Sequence, residues 1–153
     1  MNLNKLFSAL IVGIILVAMS PLVLVRFWPK INDVQTGATP EYPDLTPQRF
    51  TGRAVGEVLD AALAVAEEMG WEIREVDRGQ SSGTALIEAV ATVPVFRFRD
   101  DVTITITTES PGPGTPAVIV NIRSRSRVGK SDLGENARRI RRFQAALAGR
   151  SPN

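Results

Sequence analysis

The chain contains no cysteine and no histidine. The first absence excludes disulfides, thiolate metal sites and cysteine nucleophiles. The second removes the commonest general base and the commonest metal ligand, so catalysis would fall to carboxylates, lysine, tyrosine or an external metal. No residue pattern asks for a cofactor or a metal, and the expectation is a protein that is not an enzyme. Net charge is also small, +2 in all. Yet residues 1–120 carry nine Lys/Arg against fourteen Asp/Glu, and residues 121–153 nine against two, so the two parts stand near −5 and +7. Such asymmetry marks either a surface for an anionic partner or two parts of one domain that neutralise each other. The second reading is the simpler one.

With 153 residues, 44% of them hydrophobic and 22% charged, the chain has room for one packed domain. A run of twenty residues without a charge, Leu6 to Val25, has the length of a helix that crosses a ~30 Å hydrocarbon core. A cleaved signal peptide is the competing reading, with Lys5 before the run and Ala18-Met19-Ser20 as a small-x-small site. Pro21 directly after that site and the apolar continuation to Val25 favour an uncleaved anchor over residues 1–28. Phe27 and Trp28 suit a headgroup layer. Lys5 and the terminal amine nearly balance Arg26 and Lys30 across the run; a short basic N-tail stays cytoplasmic. That places the domain across a cell inner membrane, in the periplasm, held by a single pass.

Residues 29–50, rich in Pro, Thr, Asp and Gly, have neither a helical nor a strand period and read as an extended tether, which Tyr42 and Leu45 could pin to the folded body. A helix is predicted over Arg53 to Met69, where Val55, Val58, Leu59, Ala62, Ala66 and Met69 recur on one face before Gly70. Strands follow over 71–77 and 84–93, joined by a glycine-bounded turn. In "DVTITITT" and "AVIVNIRSRSR" apolar and polar residues alternate strictly, so each strand buries one face. A last helix spans about 133–148, with Ala137, Ile140, Phe143, Gln144 and Leu147 inward and Arg138, Arg139, Arg141 and Arg142 on its flanks. The expected domain, 51–148, is α+β: a four-stranded, mainly antiparallel sheet with two helices on one face, followed by a disordered tail over 149–153.

The segments "PEYPDLTP", "FRFRDDV" and "RSRSRVGKSDLGENARRIRRF" resemble the family known as domain of unknown function 1499, over roughly Thr39 to Leu147. The resemblance implies a small membrane-associated or exported protein, mostly bacterial with relatives in plastids. It supplies no catalytic residues to carry over.

Gly129-Lys130-Ser131 is similar to the end of a phosphate-binding loop, but the first glycine that motif needs is Ser124 here, and the sheet is expected to be antiparallel. The simpler reading is structural: Gly129 permits the turn, Asp132 caps the last helix, and Glu135 reaches back to the cap's own amide. Gly134, placed inside the first turn, would allow close approach of another backbone. Arg123, Arg125 and Arg127 alternate into a stripe on the polar face, where Asp100 and Asp101 at the start of the neighbouring strand, with Glu88 and Glu72, offer acidic partners. Asp100 and Asp101 point to opposite faces and so cannot flank one bond. Nucleic acid is not expected as a partner, for want of an aromatic platform beside the arginines.

Two functional expectations follow. One is an anchored, non-enzymatic accessory domain that docks a protein partner or membrane assembly. The other is a binder of a small anionic ligand or lipid headgroup at the strand-to-helix corner, near Arg127, Lys130 and Arg138. Arg123, Arg125, Arg127, Lys130, Ser131, Arg138 and Arg142 are the candidate contacts for an anion or a partner.

Overall fold

A computed structural model describes residues 30–80, 83–93, 97–109 and 116–150. The proposed membrane run and the last three residues lie outside these. Among the described residues no helix is long and apolar enough to cross a membrane.

The elements run β1 (Asp33–Gln35), β2 (Gln48–Thr51), α1 (Val55–Glu68), β3 (Glu72–Asp77), β4 (Thr84–Thr92), β5 (Arg99–Thr108), β6 (Ala117–Ser126) and α2 (Glu135–Arg150). The sheet order is β1-β6-β5-β4-β3, with β2 also on β6, and each pairing is antiparallel. The alternation read in the two threonine- and arginine-bearing strands holds: Val102, Ile104, Ile106, Val118, Val120 and Ile122 are buried. Both helices pack on that face, α1 through Val58, Leu59, Ala62, Val65 and Ala66, α2 through Ala137, Ile140, Phe143 and Leu147. The Trp71 and Phe143 rings stack with centroids 5.3 Å apart and planes 15° off parallel. Gly79 (φ +70°) closes the β3–β4 corner, where a Cβ would meet the Thr84 backbone at 2.6 Å.

The sheet has six strands where the alternation pattern gave four. The two additional ones come from the segment read as a tether. β1 covers the Arg123–Arg125 end of β6 and β2 covers its Ala117–Val120 end. In the gap between them the Ile122 amide donates to the Thr36 hydroxyl (3.1 Å) and the Thr36 amide to the Ile122 carbonyl (3.0 Å). The edge of β6 is thereby covered, which removes a row of free amides that would otherwise template aggregation. The intervening loop folds back at Gly37, whose amide donates to the Leu45 carbonyl. Val34 and Leu45 are fully buried in the core, and the Gln48 side chain donates to the Gln144 carbonyl of α2 while the Gln144 side chain donates to the Thr46 carbonyl of the loop. Strands of three and four residues are too short to show a period, so sequence alternation cannot reveal them. At the other end α2 continues to Arg150, which pairs with Glu68, so residues 149–150 belong to the helix and not to a tail.

Candidate functional site

β6 places Arg123, Arg125 and Arg127 on the open face of the sheet, at two-residue spacing. Each meets a carboxylate. Arg123 grips Asp33 of β1 in a fork, Nε to Oδ1 at 2.9 Å and Nη2 to Oδ2 at 2.5 Å, and Arg125 stands 4.0 Å from the same group. Arg127 forks onto Asp101 of β5, with Nε to Oδ1 at 2.9 Å. Farther across, Glu72 of β3 takes both Arg74 and Arg99. Glu88, the other expected partner, is exposed and lies opposite Glu75. The result is a ladder of forked pairs across the open face, all of it wet.

The carboxyl of Asp33 is held below its ordinary 3.8, first by the hydrogen bond from Arg123, against partial burial, with the Arg123 and Arg125 charges adding to the shift. Asp101 is lowered in the same way, first by its hydrogen bond from Arg127. A lowered folded-state value means that the stabilisation is complete above the ordinary value. It is lost as pH falls through the folded one. The variants Asp33→Asn and Asp101→Asn should each flatten the acid limb of a stability profile taken by urea unfolding from about pH 5 to about pH 2. An acid limb as steep as that of the parent would show that these pairs do not persist in solution.

At the strand-to-helix corner the structure separates the expected groups rather than converging them. Gly129 takes the left-handed turn (φ +88°), and Leu133 and Gly134 follow with φ +54° and +79°, so Gly134 precedes the helix instead of lying in its first turn. Asp132 caps as expected: the Gly134 and Asn136 amides donate to its two oxygens at 2.8 and 2.6 Å. The reciprocal arm does not form. The Asp132 amide donates to the Ile31 carbonyl (3.1 Å), which takes the place Glu135 would fill. Glu135 instead accepts from Arg138 (3.0 Å) and Arg142 (2.6 Å). Arg138 also donates to the Leu133 carbonyl at 3.1 Å. The Ser131 hydroxyl accepts from the Leu133 amide (3.3 Å), and Lys130 is exposed.

A second constellation lies on the helix side of the same strands. Asp100, Ser124 and Ser126 share the inward register with Val102 and Ile122, and Arg139 and Asn136 share the inward stripe of α2. Arg139, assigned from sequence to a flank, is only 3% exposed. Its Nη2 donates to Asp100 Oδ2 at 2.7 Å, and its Nη1 donates to Ser124 Oγ (2.8 Å) and Asn136 Oδ1 (2.7 Å). The Asn136 amide donates onward to Ser126 Oγ and to the Asn32 carbonyl. A cleft of about 330 Å³ lined by Met69, Trp71, Thr92, Glu135, Arg139 and Arg142 opens beside this network. The sequence did hold a signal for it. Polar residues in the inward register at one end of two paired strands require a buried partner, and α2 supplies it through Arg139 and Asn136.

Asp100 and Asp101 do point to opposite faces, one into the arginine network and one into the open ladder. The loop that resembles a phosphate cradle leads out of an antiparallel sheet. No curated protein matches the chain. The family described as "Protein of unknown function (DUF1499)" matches residues 24–147, a span that takes in both short N-terminal strands, the arginine ladder and the buried Asp100–Arg139 pair, and the chain belongs to that family.

Proposed function

We propose that the chain is a membrane-anchored, non-enzymatic accessory domain that docks a protein partner or membrane assembly through the arginine ladder on the open face of its sheet. The observation that carries this reading is the ladder itself. Three arginines stand in line on and just past a strand held by neighbours on both edges, and their carboxylate partners are half-buried (Asp33) or exposed (Asp101). Exposed pairs contribute only about 0–1 kcal/mol each. An acidic partner can therefore exchange with Asp33 or Asp101 at little cost, and the planar guanidinium fork gives it a defined geometry to meet. Under this reading residues 1–28 hold the domain at an inner membrane, on the periplasmic side.

Cross-linking of the tagged full-length protein in its native membranes tests it. A stoichiometric partner is expected, lost when residues 1–28 are removed and weakened by Arg125→Glu, the stripe arginine with the longest internal pair. A bare monomer in every preparation overturns the reading. The anion pocket at the corner is less supported, because Arg127 and Arg138 are already held by Asp101 and Glu135.

A further inference from the structure

The described part of the chain begins at one end of the sheet. Ile31 and Asn32 are tied to the β6–α2 loop: the Ser126 amide donates to the Asn32 carbonyl (2.7 Å), the Asn32 side chain to the Gly129 carbonyl (2.7 Å), and the Asp132 amide to the Ile31 carbonyl. β1 starts at Asp33 opposite Arg125, β5 starts at Arg99 and β6 ends at Ser126 opposite Asp100, so Lys30, Phe98 and Val128 all lie just past the same end of the sheet. Val128, Leu133 and Phe98 are the exposed large hydrophobics among the described residues, at 59%, 46% and 47%. With Leu133 in the β6–α2 loop, all three stand at the end of the sheet where the described chain begins.

The charge there is distinctive as well. The protein has fifteen arginines and three lysines, and the two lysines among the described residues, Lys30 and Lys130, both lie at this end. Arg125, Arg127 and Arg138 have carboxylates, whereas neither lysine, nor exposed Arg97 beside Phe98, pairs with a carboxylate of the described residues. Of the local acids, Asp132 is committed to backbone amides, Asp33 to Arg123, and Glu135 to Arg138 and Arg142; Glu41 shares a groove with Lys30. Five chain steps separate Val25 from Lys30, so Lys30 lies within about 18 Å of the end of the uncharged run. Exposed apolar side chains among unpaired lysines, at that distance from a bilayer, match the composition of an interface that enters the headgroup layer.

We propose that this end of the sheet docks on an anionic bilayer surface, with Val128, Leu133 and Phe98 entering the headgroup layer and Lys30 and Lys130 meeting lipid phosphates. The proposal rests on the anchor described above and adds an orientation: the arginine ladder is held edge-on to the membrane, open to a partner beside it. Absence of cysteine makes the test direct. Full-length protein is reconstituted into phosphatidylglycerol/phosphatidylcholine vesicles or phosphatidylcholine alone, with a nitroxide at Val128→Cys, Leu133→Cys, Val17→Cys or, at the opposite end of the sheet, Gln80→Cys.

The expected result is that labels at 128 and 133 collide with oxygen in preference to an aqueous nickel reagent in the anionic vesicles, while the label at 80 does the reverse. Lys30→Gln with Lys130→Gln, or neutral vesicles, should shift 128 and 133 toward the aqueous reagent. Equal immersion in both vesicle types overturns the electrostatic part. Lipid exposure at 17 with aqueous labels at 128 and 133 overturns docking alone; aqueous labels at all three overturn the anchor too. An aqueous label at 17 with immersed 128 and 133 upholds docking and removes the anchor. Labels at 128 and 133 immobilised but shielded from both reagents mean a protein contact and overturn the lipid assignment.

Discussion

Replacing Arg139 by alanine is expected to lower the unfolding free energy by about 3–5 kcal/mol, because Asp100, itself 1% exposed, is left as an unpaired buried charge. Such a loss is a large share of the ~5–15 kcal/mol that holds a typical domain folded. The cleft beside the network gives water a route toward Asp100, which favours the lower end of that range. A paired replacement by apolar residues, Arg139→Met with Asp100→Leu, removes both charges together and should be clearly more stable than the single variant. Asn136 then still holds Ser124, Ser126 and the Asn32 carbonyl. Urea unfolding of the three proteins decides it. A single variant within about 1 kcal/mol of the parent would place the pair in the class of weak surface bridges.

Phe143→Ala should be comparably damaging, at about 3–5 kcal/mol for loss of a fully buried aromatic ring and the cavity left behind. The ring also stacks on Trp71, an arrangement worth about 0.5–1.5 kcal/mol beyond burial. The same variant should move Trp71 emission to longer wavelength, since water gains access from the Met69–Trp71 cleft. Phe143→Leu keeps most of the apolar volume and should lose less than half as much. Equal losses for the two would mean that ring stacking and cavity size are not what Phe143 contributes.

How much was legible in the sequence differs by element. Helix α1 shows its 3.6-residue stripe over fourteen residues and ends at Gly70, and its boundaries were read to within two residues. The alternation in β5 and β6 spans ten residues each and fixed which face is inward. Asp132 was legible as a cap because capping is a contact within four residues. The failures are non-local. β1 and β2 exist because their backbone groups meet β6 some seventy to ninety residues later in the chain. Glu135 was expected to close a capping box, yet Ile31, distant in sequence, supplies the acceptor. Arg139 was placed on a flank because helical phase alone puts it at the margin of the apolar stripe; Asp100 and Ser124 on two strands, with Asn136 of its own helix, draw it under cover.

By itself the sequence determined the composition of the two faces, the α+β order of the principal elements and the family, since periodicity and capping are short-range properties of the chain. Tertiary structure decided which cation met which anion, that a proline-rich segment came to cover the edge of β6, and that the exposed apolar side chains lie at the end of the sheet where the described chain begins. Those outcomes depend on strand register and on desolvation. Pairing a strand edge satisfies amides that would otherwise be orphaned, and burying one carboxylate demands one guanidinium. Both requirements act between residues that only the fold brings together.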